Sequence, residues 1–172
     1  MIKINLDKTI KGFILDIGGG GEGIIGRIYQ SQVTAIDNRQ DELDEAPEGF
    51  KKLLMDARNL EFVGNSFDNI TLFYTLMYIE KEYHSTVIQE AYRVLDDHGD
   101  LHIWDANINT ANPFLVNLNI NANGTIINTT YGIYKENAFQ DREYFKSICK
   151  EAGLYLMDES LHDNQFYLHF SK

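Results

Sequence analysis

The sequence predicts an α/β fold, and three observations lead to that prediction. Short apolar runs, each too short for a helix, are spread over residues 13–105. Helical patterns or short crossovers separate these runs, as is typical of a doubly wound sheet of mostly parallel strands. Most of the runs end in an aspartate, and ligands of open α/β sheets bind at the carboxyl ends of the strands. An inserted β-hairpin near 113–134 and an antiparallel C-terminal strand complete the predicted fold.

The first predicted strand, residues 13–17, leads directly into a glycine-rich turn. Glycine occupies every position from 18 to 23 except Glu22. Because glycine has no Cβ, the backbone can turn tightly there and a ligand can approach it closely. The stretch 24–29 then carries apolar residues at helical spacing and predicts a short helix. Strand, glycine turn and helix together are the opening of a nucleotide-binding βαβ unit.

Further strands are predicted at 33–37, 51–56, 69–74 and 101–105. Aspartates lie at or beside the ends of the predicted strands: Asp16, Asp37, Asp56 and Asp105. The carboxyl ends of parallel strands meet at one edge of a Rossmann-like sheet. We therefore expect these acids to converge there without a basic residue among them. Such an edge suits a ligand that is rich in hydroxyls and amines, and does not suit a pyrophosphate.

Helical segments and a hairpin fill the spaces between and after these strands. The acidic segment 41–49 is too short for more than a turn or two of helix, whereas 80–95 has the apolar spacing of a surface helix. Apolar runs on both sides of Asn123-Gly124 predict the hairpin, because this pair favours tight hairpin turns. Asp141 is expected to cap a helix that ends at Gly153. Closing strands are predicted at 154–160 and 165–170.

Length and composition restrict the class of protein. With 172 residues, we expect one domain that spans 1–172. The net charge of -11 argues against nucleic acid and against an anionic membrane surface, because both require a surplus of Lys and Arg. Neither a secretory signal nor a membrane span is expected, so a cytoplasmic enzyme is predicted. The single cysteine, Cys149, excludes an intramolecular disulfide and a multi-cysteine metal site, and no metal site is expected.

Residues 12–105 resemble a class I S-adenosylmethionine-dependent methyltransferase of the small-molecule type. The segment 15–20 resembles the first motif of that family, with an acid two places before the first glycine. Residues 36–37 look like the acidic end of the second strand, and 55–57 like the adenine-binding corner. Residues 66–68 and 92–95 with Gly99 resemble the pattern around the fourth and fifth strands. The C-terminal helix and strand pair fit the family more loosely.

The resemblance implies a cofactor, a reaction and a set of binding residues. The cofactor would be S-adenosylmethionine and the product S-adenosylhomocysteine, with the methyl group passed to an unidentified small molecule. The implied cofactor site comprises Asp16 for the methionine ammonium, Gly18 and Gly20 for close backbone approach, Asp37 for the ribose hydroxyls, and Asp56 with Ala57 for the adenine. Tyr74 and Thr75 would line the opening toward the acceptor.

Two departures from the family pattern concern the path of the glycine loop and the cover of the site. Glu22 stands where the family usually has a third glycine. About a dozen residues precede the first predicted strand, whereas relatives often carry N-terminal helices over the active site. A cover must therefore come from the hairpin near 113–134, come from a partner subunit, or be absent. The hairpin is also a candidate specificity element or homodimer surface.

Asp105, His84 and Tyr78 are weak candidates for a general base near the predicted mouth of the site. His84 is explained more simply as a solvated residue on the first turn of its helix. His102 and His169 lie in strands, where a structural role is the simpler interpretation. Many methyl transfers need little more than a positioned, deprotonated nucleophile, so the reaction does not demand a dedicated base.

Two alternatives remain at the level of the sequence. Gly18-x-Gly20-x-x-Gly23 followed by Asp37 satisfies the dinucleotide fingerprint of an NAD(P)-dependent oxidoreductase. Against that reading, Asp16 would place its charge against the pyrophosphate, and the short chain leaves no separate catalytic domain. A non-catalytic S-adenosylmethionine-binding protein, with a regulatory or assembly role, is the second alternative.

Overall fold

The computed structural model describes residues 1–135 and 138–172, in which ten strands and four α-helices are found. The strands are β1 (Ile2–Leu6), β2 (Ile14–Ile17), β3 (Val33–Asp37), β4 (Lys51–Leu54), β5 (Phe67–Phe73), β6 (Leu95–Ala106), β7 (Phe114–Ala122), β8 (Thr125–Ile133), β9 (Tyr155–His162) and β10 (Gln165–Ser171). The helices are α1 (Ile24–Tyr29), α2 (Gln40–Glu45), α3 (His84–Val94) and α4 (Arg142–Glu151).

The main sheet has seven strands in the order β4-β3-β2-β5-β6-β10-β9. The first five pair in parallel, and β10 is antiparallel to both β6 and β9. The chain runs outward from β2 to β4 and then returns to place β5 on the other side of β2, so the strand order reverses between β2 and β5. This arrangement confirms the predicted doubly wound sheet with its antiparallel C-terminal strand. Its switch point lies where the glycine turn leaves β2.

A second sheet of three strands, in the order β1-β7-β8, contains the hairpin. Strands β7 and β8 pair from Phe114↔Ile133 to Ala122↔Thr125, which confirms the predicted insertion. Asn123 and Gly124 join them with φ values of 50° and 91°, both in the left-handed region that a tight hairpin turn requires. Strand β1, which was not predicted, pairs in parallel with β7.

Apolar residues form two cores, one on each face of the main sheet. Helices α3 and α4 cover one face, where Leu101 and Ile103 of β6 are fully buried. Helix α1 and the three-stranded sheet cover part of the other face, with Leu118 and Ile120 of β7 fully buried. The hairpin is therefore packed onto the body of the protein and does not extend into solvent.

Several predicted boundaries differ from the structure. Helix α3 begins at His84 after a separate 3-10 turn at Lys81–Tyr83, so it is shorter than the predicted 80–95. Strand β6 begins at Leu95, directly after the helix, because Leu95 pairs with Phe67 before the register shifts at Asp100. Helix α2 has six residues and confirms the short crossover. The predicted cap is confirmed, because the Asp141 side chain accepts a hydrogen bond from the Tyr144 amide at 2.7 Å.

None of the helices in the described part of the chain is long and apolar enough to cross a membrane.

Candidate functional site

A cavity of about 880 Å³ opens at the switch point of the main sheet. The glycine turn at 18–23, the residues that follow β3, β4 and β5, and strand β8 of the hairpin line it. The cavity thus lies at the carboxyl ends of the parallel strands, where this fold binds its ligands. A second cavity, of about 420 Å³, lies between β1 and the residues of β6 and β10.

The glycine turn is held so close to its neighbours that larger residues do not fit. The amides of Gly18 and Gly19 donate to the carbonyl of Ile36 at 2.8 and 3.1 Å, which fixes the turn against β3. Gly18 has a φ of +74°, and a Cβ added there would lie 2.4 Å from Cγ2 of Thr75. A Cβ on Gly20 would lie 2.9 Å from Oδ2 of Asp37. The backbone of the glycine turn and the carboxylate of Asp37 therefore lie side by side in one wall of the cavity.

Asp16 contributes a buried carboxylate to this cavity. Its residue is 2% exposed, and Oδ1 accepts a hydrogen bond from the hydroxyl of Thr71 at 2.7 Å. Burial raises the pKa of Asp16 to about 7, the bond from Thr71 opposes that rise, and the charge of Asp37 adds to it. Within the described residues, no Lys or Arg forms a salt bridge with it. A ligand cation at this position would favour the ionised carboxylate.

Asp37 and Asp56 lie at the cavity wall beyond β3 and β4. Asp37 Oδ1 accepts a hydrogen bond from the amide of Arg39 at 3.0 Å. Asp56 binds Arg58 through both carboxylate oxygens, with Oδ2 2.6 Å from Nη2, and these bonds lower the pKa of Asp56. Ala57, between Asp56 and Arg58 in the sequence, also lines the cavity.

The expectation that no basic residue lies at this edge was wrong. Arg39 and Arg58 both line the cavity. Each arginine stands two residues beyond the end of a predicted strand, so the pattern of the strand ends alone does not include it. Both are paired with nearby carboxylates, because Arg58 binds Asp56 and Arg39 binds Asp41 and Glu42. Their charge is therefore largely compensated within the wall itself.

Tyr74 and Thr75 follow β5 and border the cavity. Tyr74 has a φ of +51° and is 2% exposed, and its hydroxyl donates to Oε1 of Gln165 at 2.7 Å. Its ring stacks on Tyr131 of the hairpin, with 5.0 Å between the ring centroids. The Thr75 hydroxyl donates to the carbonyl of Ile17 at 2.9 Å, which joins the end of β5 to the glycine turn.

The hairpin covers the cavity from the side of β8. Glu22 of the glycine turn accepts a hydrogen bond from the hydroxyl of Thr129, and its other oxygen lies 3.5 Å from the Tyr131 hydroxyl. The Gly132 amide donates to the Tyr78 hydroxyl at 3.0 Å. Of the three arrangements that the sequence allowed, the described residues show the hairpin over the site. In the sequence, Glu22 stands out only as a departure from the glycine pattern, and that departure is the local signal for this contact.

Of the three candidate bases, the structure places only Tyr78 on the cavity, where it is 54% exposed. Asp105 is fully buried and accepts hydrogen bonds from the Met77 and Ala106 amides and the Gln140 side chain, at 3.2, 2.8 and 2.7 Å. Burial raises its pKa to about 7. The expectation that Asp105 faces the mouth was wrong, because its side chain supports the backbone behind the cavity.

The expectations for His84 were also wrong, both as a residue at the mouth and as a solvated one. His84 is 2% exposed, with Nε2 2.9 Å from the Leu76 carbonyl and 3.0 Å from that of Ile79. Its ring lies against Phe145 of α4, with 5.2 Å between the ring centroids. Burial lowers the pKa of His84 and favours the neutral form. His84 is buried because α4 packs onto α3, and the sequence pattern of α3 alone does not reveal that packing.

Comparison with known proteins places the chain in a family. The family model for the methyltransferase domain matches residues 15–103, just over half of the chain. The chain therefore belongs to the methyltransferase domain family, among the class I S-adenosylmethionine-dependent methyltransferases. No curated protein is significantly similar to it in sequence.

Solved structures share the fold at low sequence identity. A SAM-dependent methyltransferase from Methanosarcina mazei has a TM-score of 0.70 at 16% identity, and the match covers 97% of this chain and 99% of that chain. A possible histamine N-methyltransferase from Thermotoga maritima has a TM-score of 0.69 at 16% identity, over 96% and 84% of the two chains. The 1,6-didemethyltoxoflavin-N1-methyltransferase from Burkholderia thailandensis, solved with S-adenosylhomocysteine, has a TM-score of 0.63 at 13% identity, over 94% and 72%.

The cofactor of this class is S-adenosylmethionine, and the cavity has features that fit it. Gly18 and Gly20 line the cavity and present backbone there without a side chain, so a ligand can approach the turn closely. Asp16 offers a buried carboxylate that lacks a cationic partner in the described chain, which suits the ammonium of an amino acid. Asp37 offers carboxylate oxygens at the end of β3, which suit hydroxyls.

Proposed function

We propose that the chain is a single-domain enzyme that transfers the methyl group of S-adenosylmethionine to a small-molecule acceptor. The observation that supports this most strongly is the continuity of one cavity from Asp16 and the glycine turn to Tyr78 and Tyr131. Cavities of about 300–1,000 Å³ hold small-molecule ligands, and this one, at about 880 Å³, lies near the upper end of that range. Cofactor and acceptor can then lie side by side beneath the hairpin.

Each residue of the cofactor site has a proposed role. Asp16 would hold the methionine ammonium, and Asp37 would accept hydrogen bonds from the ribose hydroxyls. Asp56 would accept one from the adenine amine, since a carboxylate with about four lone-pair sites keeps acceptor capacity beside Arg58. The backbone at Ala57 would lie against the adenine ring. The turn at Gly18 and Gly20 would contact the methionine and ribose parts of the cofactor.

The chemistry is an in-line displacement for which alignment is the main requirement. The cofactor supplies an activated methyl group, whose bonding electron pair remains with sulfur as the acceptor forms its new bond to carbon. The chain holds both partners in line, and such orientation can contribute about 7–11 kcal/mol. The ring of Tyr131, which stacks on Tyr74 and lines the cavity, would favour a nearby cation by roughly 0.5–2 kcal/mol. The hairpin above them excludes water.

Proton removal from the acceptor, where it is needed, has two candidate groups on the cavity. Tyr78 borders the cavity, but burial raises the pKa of its hydroxyl, so the group stays protonated near neutral pH and is poorly suited to accept a proton. Glu22 borders the same end, with its carboxylate beside Thr129 and Tyr131. We assign neither Asp105 nor His84 a catalytic role, because both are buried behind the cavity.

The experiment that tests the site is calorimetric titration of variants with S-adenosylhomocysteine. Asp37→Ala and Asp56→Ala should each weaken binding by about 10- to 150-fold, because a hydrogen bond to a charged group contributes about 1.5–3 kcal/mol. Asp163→Ala, which removes an exposed acid from the β9–β10 turn, should bind as the unsubstituted protein does. If Asp37→Ala and Asp56→Ala both bind as tightly as that control, the assignment of the site fails.

A further inference from the structure

Two histidines and an aspartate meet on the face of the main sheet opposite α3 and α4. In β6, Leu101 and Ile103 point into the core beneath those helices, so Asp100 and His102 point to the other face. His169 of β10 lies directly opposite His102 in the antiparallel register. Directly opposed residues of neighbouring strands have Cβ atoms about 4.5–5.5 Å apart, so their side chains interact.

The polar atoms of these three side chains are close together. One ligand atom from each of Asp100, His102 and His169 can be chosen so that all lie within 4.8 Å of one another. The imidazole rings of His102 and His169 are stacked, with 4.7 Å between their centroids and 16° between their planes. Nε2 of His169 lies 3.1 Å from Oδ1 of Asp100.

One ring nitrogen of His169 lacks a hydrogen-bond partner within the described residues. Its Nε2 is buried and has no hydrogen-bond partner among the described residues, because the nearby Asp100 oxygen lies outside hydrogen-bond geometry. A buried polar atom without a partner costs free energy, and most such atoms in proteins are satisfied by protein, water or an ion. A metal ion between His169 and Asp100 would satisfy both groups.

His102 is already oriented in the way that a metal-binding histidine requires. Its Nδ1 lies 2.9 Å from the Tyr167 hydroxyl, and its ring stacks on Trp104. Histidines that bind metals through one ring nitrogen usually hydrogen-bond through the other, which fixes the tautomer. In the tautomer whose Nδ1–H donates to the Tyr167 hydroxyl, Nε2 of His102 keeps its lone pair for a metal.

We propose that Asp100, His102 and His169 form a binding site for a divalent transition-metal ion of the zinc type. Two imidazoles and one carboxylate are ligands that Zn²⁺ prefers, and three protein ligands leave a further position for water. Bond lengths of about 2.0–2.2 Å require ligand atoms within about 4.4 Å of each other, so a small closure is needed. The side chains of Asp100 and His169 are 38% and 25% exposed, which leaves them room to turn from the stacked arrangement. A bound ion would join β6 to β10.

Calorimetry tests the site directly. The full, untagged chain is first treated with a chelator and then titrated with ZnCl₂. We expect one Zn²⁺ per chain and no binding of Mg²⁺, which prefers oxygen ligands. His169→Ala should abolish the binding, and Tyr167→Phe, which loses the bond to His102, should weaken it by about tenfold. His98→Ala, which removes a histidine outside the cluster, is the matched control and should bind normally.

Circular dichroism of each variant verifies its fold, and Asp100→Asn provides a second variant at a partly exposed position. We expect Asp100→Asn to weaken Zn²⁺ binding at an unchanged melting temperature of the metal-free protein. Unchanged Zn²⁺ binding in folded Asp100→Asn and His169→Ala, or an equal loss in His98→Ala, would overturn the proposal. So would the absence of Zn²⁺ binding to the unsubstituted protein.

Discussion

Asp16 is the residue on which the electrostatics of the cofactor site depend. Its carboxylate is buried beside the glycine turn with one hydroxyl partner, Thr71, and its pKa is about 7. The protein therefore carries at this point an acid that is about half protonated near neutral pH. A bound ammonium group would lower that pKa again, so cofactor binding and ionisation of Asp16 are linked.

This linkage predicts the pH dependence of binding. With a pKa of about 7, the ionised fraction of Asp16 rises from about one tenth at pH 6 to about nine tenths at pH 8. Affinity for S-adenosylhomocysteine should therefore rise by about tenfold over this interval, as measured by calorimetry. Asp16→Asn should bind more weakly and show no such rise. A pH profile that is the same in both proteins would exclude Asp16 from the ammonium site.

Gly18 allows a second prediction at the level of one residue, with Gly124 as its matched control. Both have positive φ values, +74° and +91°, so an alanine at either position costs about 1–2 kcal/mol of stability. A Cβ at Gly124 meets nothing within 4 Å, whereas one at Gly18 would lie 2.4 Å from Thr75. Gly18→Ala should therefore cost about 1–3 kcal/mol more than Gly124→Ala in urea unfolding, since overpacking adds to the backbone strain.

Binding separates the two variants further. Gly18→Ala should weaken S-adenosylhomocysteine binding, and Gly124→Ala should leave it unchanged, because only Gly18 lines the cavity. Equal stability and equal affinity in the two variants would show that the turn tolerates a side chain.

Residues at the cavity differ in how far the sequence predicts them. The positions of Asp16, Asp37 and Asp56 at the ends of predicted strands placed them at the edge of the sheet, and all three line the cavity. Asp105 fits the same strand-end pattern, but it is buried among the backbone amides of Met77 and Ala106. The direction in which a strand-end side chain points depends on packing between distant segments. A local pattern does not contain that information.

At the scale of elements, the three-stranded sheet connects the cavity to the rest of the fold. Asn123-Gly124 is a local signal, so the hairpin was predictable from the sequence. The pairing of β1 with β7, in which Ile2 lies opposite Leu118, joins segments more than a hundred residues apart. Five residues with a weak alternation do not predict such a pairing. It gives the hairpin a third strand and a buried face.

The docking of this sheet onto the body of the protein can be tested within one strand. Leu118 of β7 is fully buried, whereas Leu115 of the same strand is 55% exposed. Leu118→Ala should lower the free energy of unfolding by about 2–5 kcal/mol, and Leu115→Ala by about 0.5 kcal/mol or less. Urea unfolding measures both. Equal effects of the two changes would contradict the packing of the hairpin against α1 and the main sheet.

At the scale of the whole molecule, the fold brings three parts of the chain to one cavity. The reversal of strand order between β2 and β5 opens the crevice, the glycine turn shapes its wall, and the hairpin covers it. Glu22 and Tyr131 belong to two of these parts and meet above the crevice. The doubly wound sheet followed from the sequence because its strands alternate with crossovers. Its cover came from tertiary packing.

The most direct test of the account is a calorimetric comparison of S-adenosylhomocysteine, NAD and NADP on the full chain. The buried carboxylate of Asp16 suits an ammonium group and opposes a pyrophosphate. We expect micromolar binding of S-adenosylhomocysteine, one molecule per chain, and no binding of NAD or NADP. Binding of NAD or NADP without S-adenosylhomocysteine would contradict it.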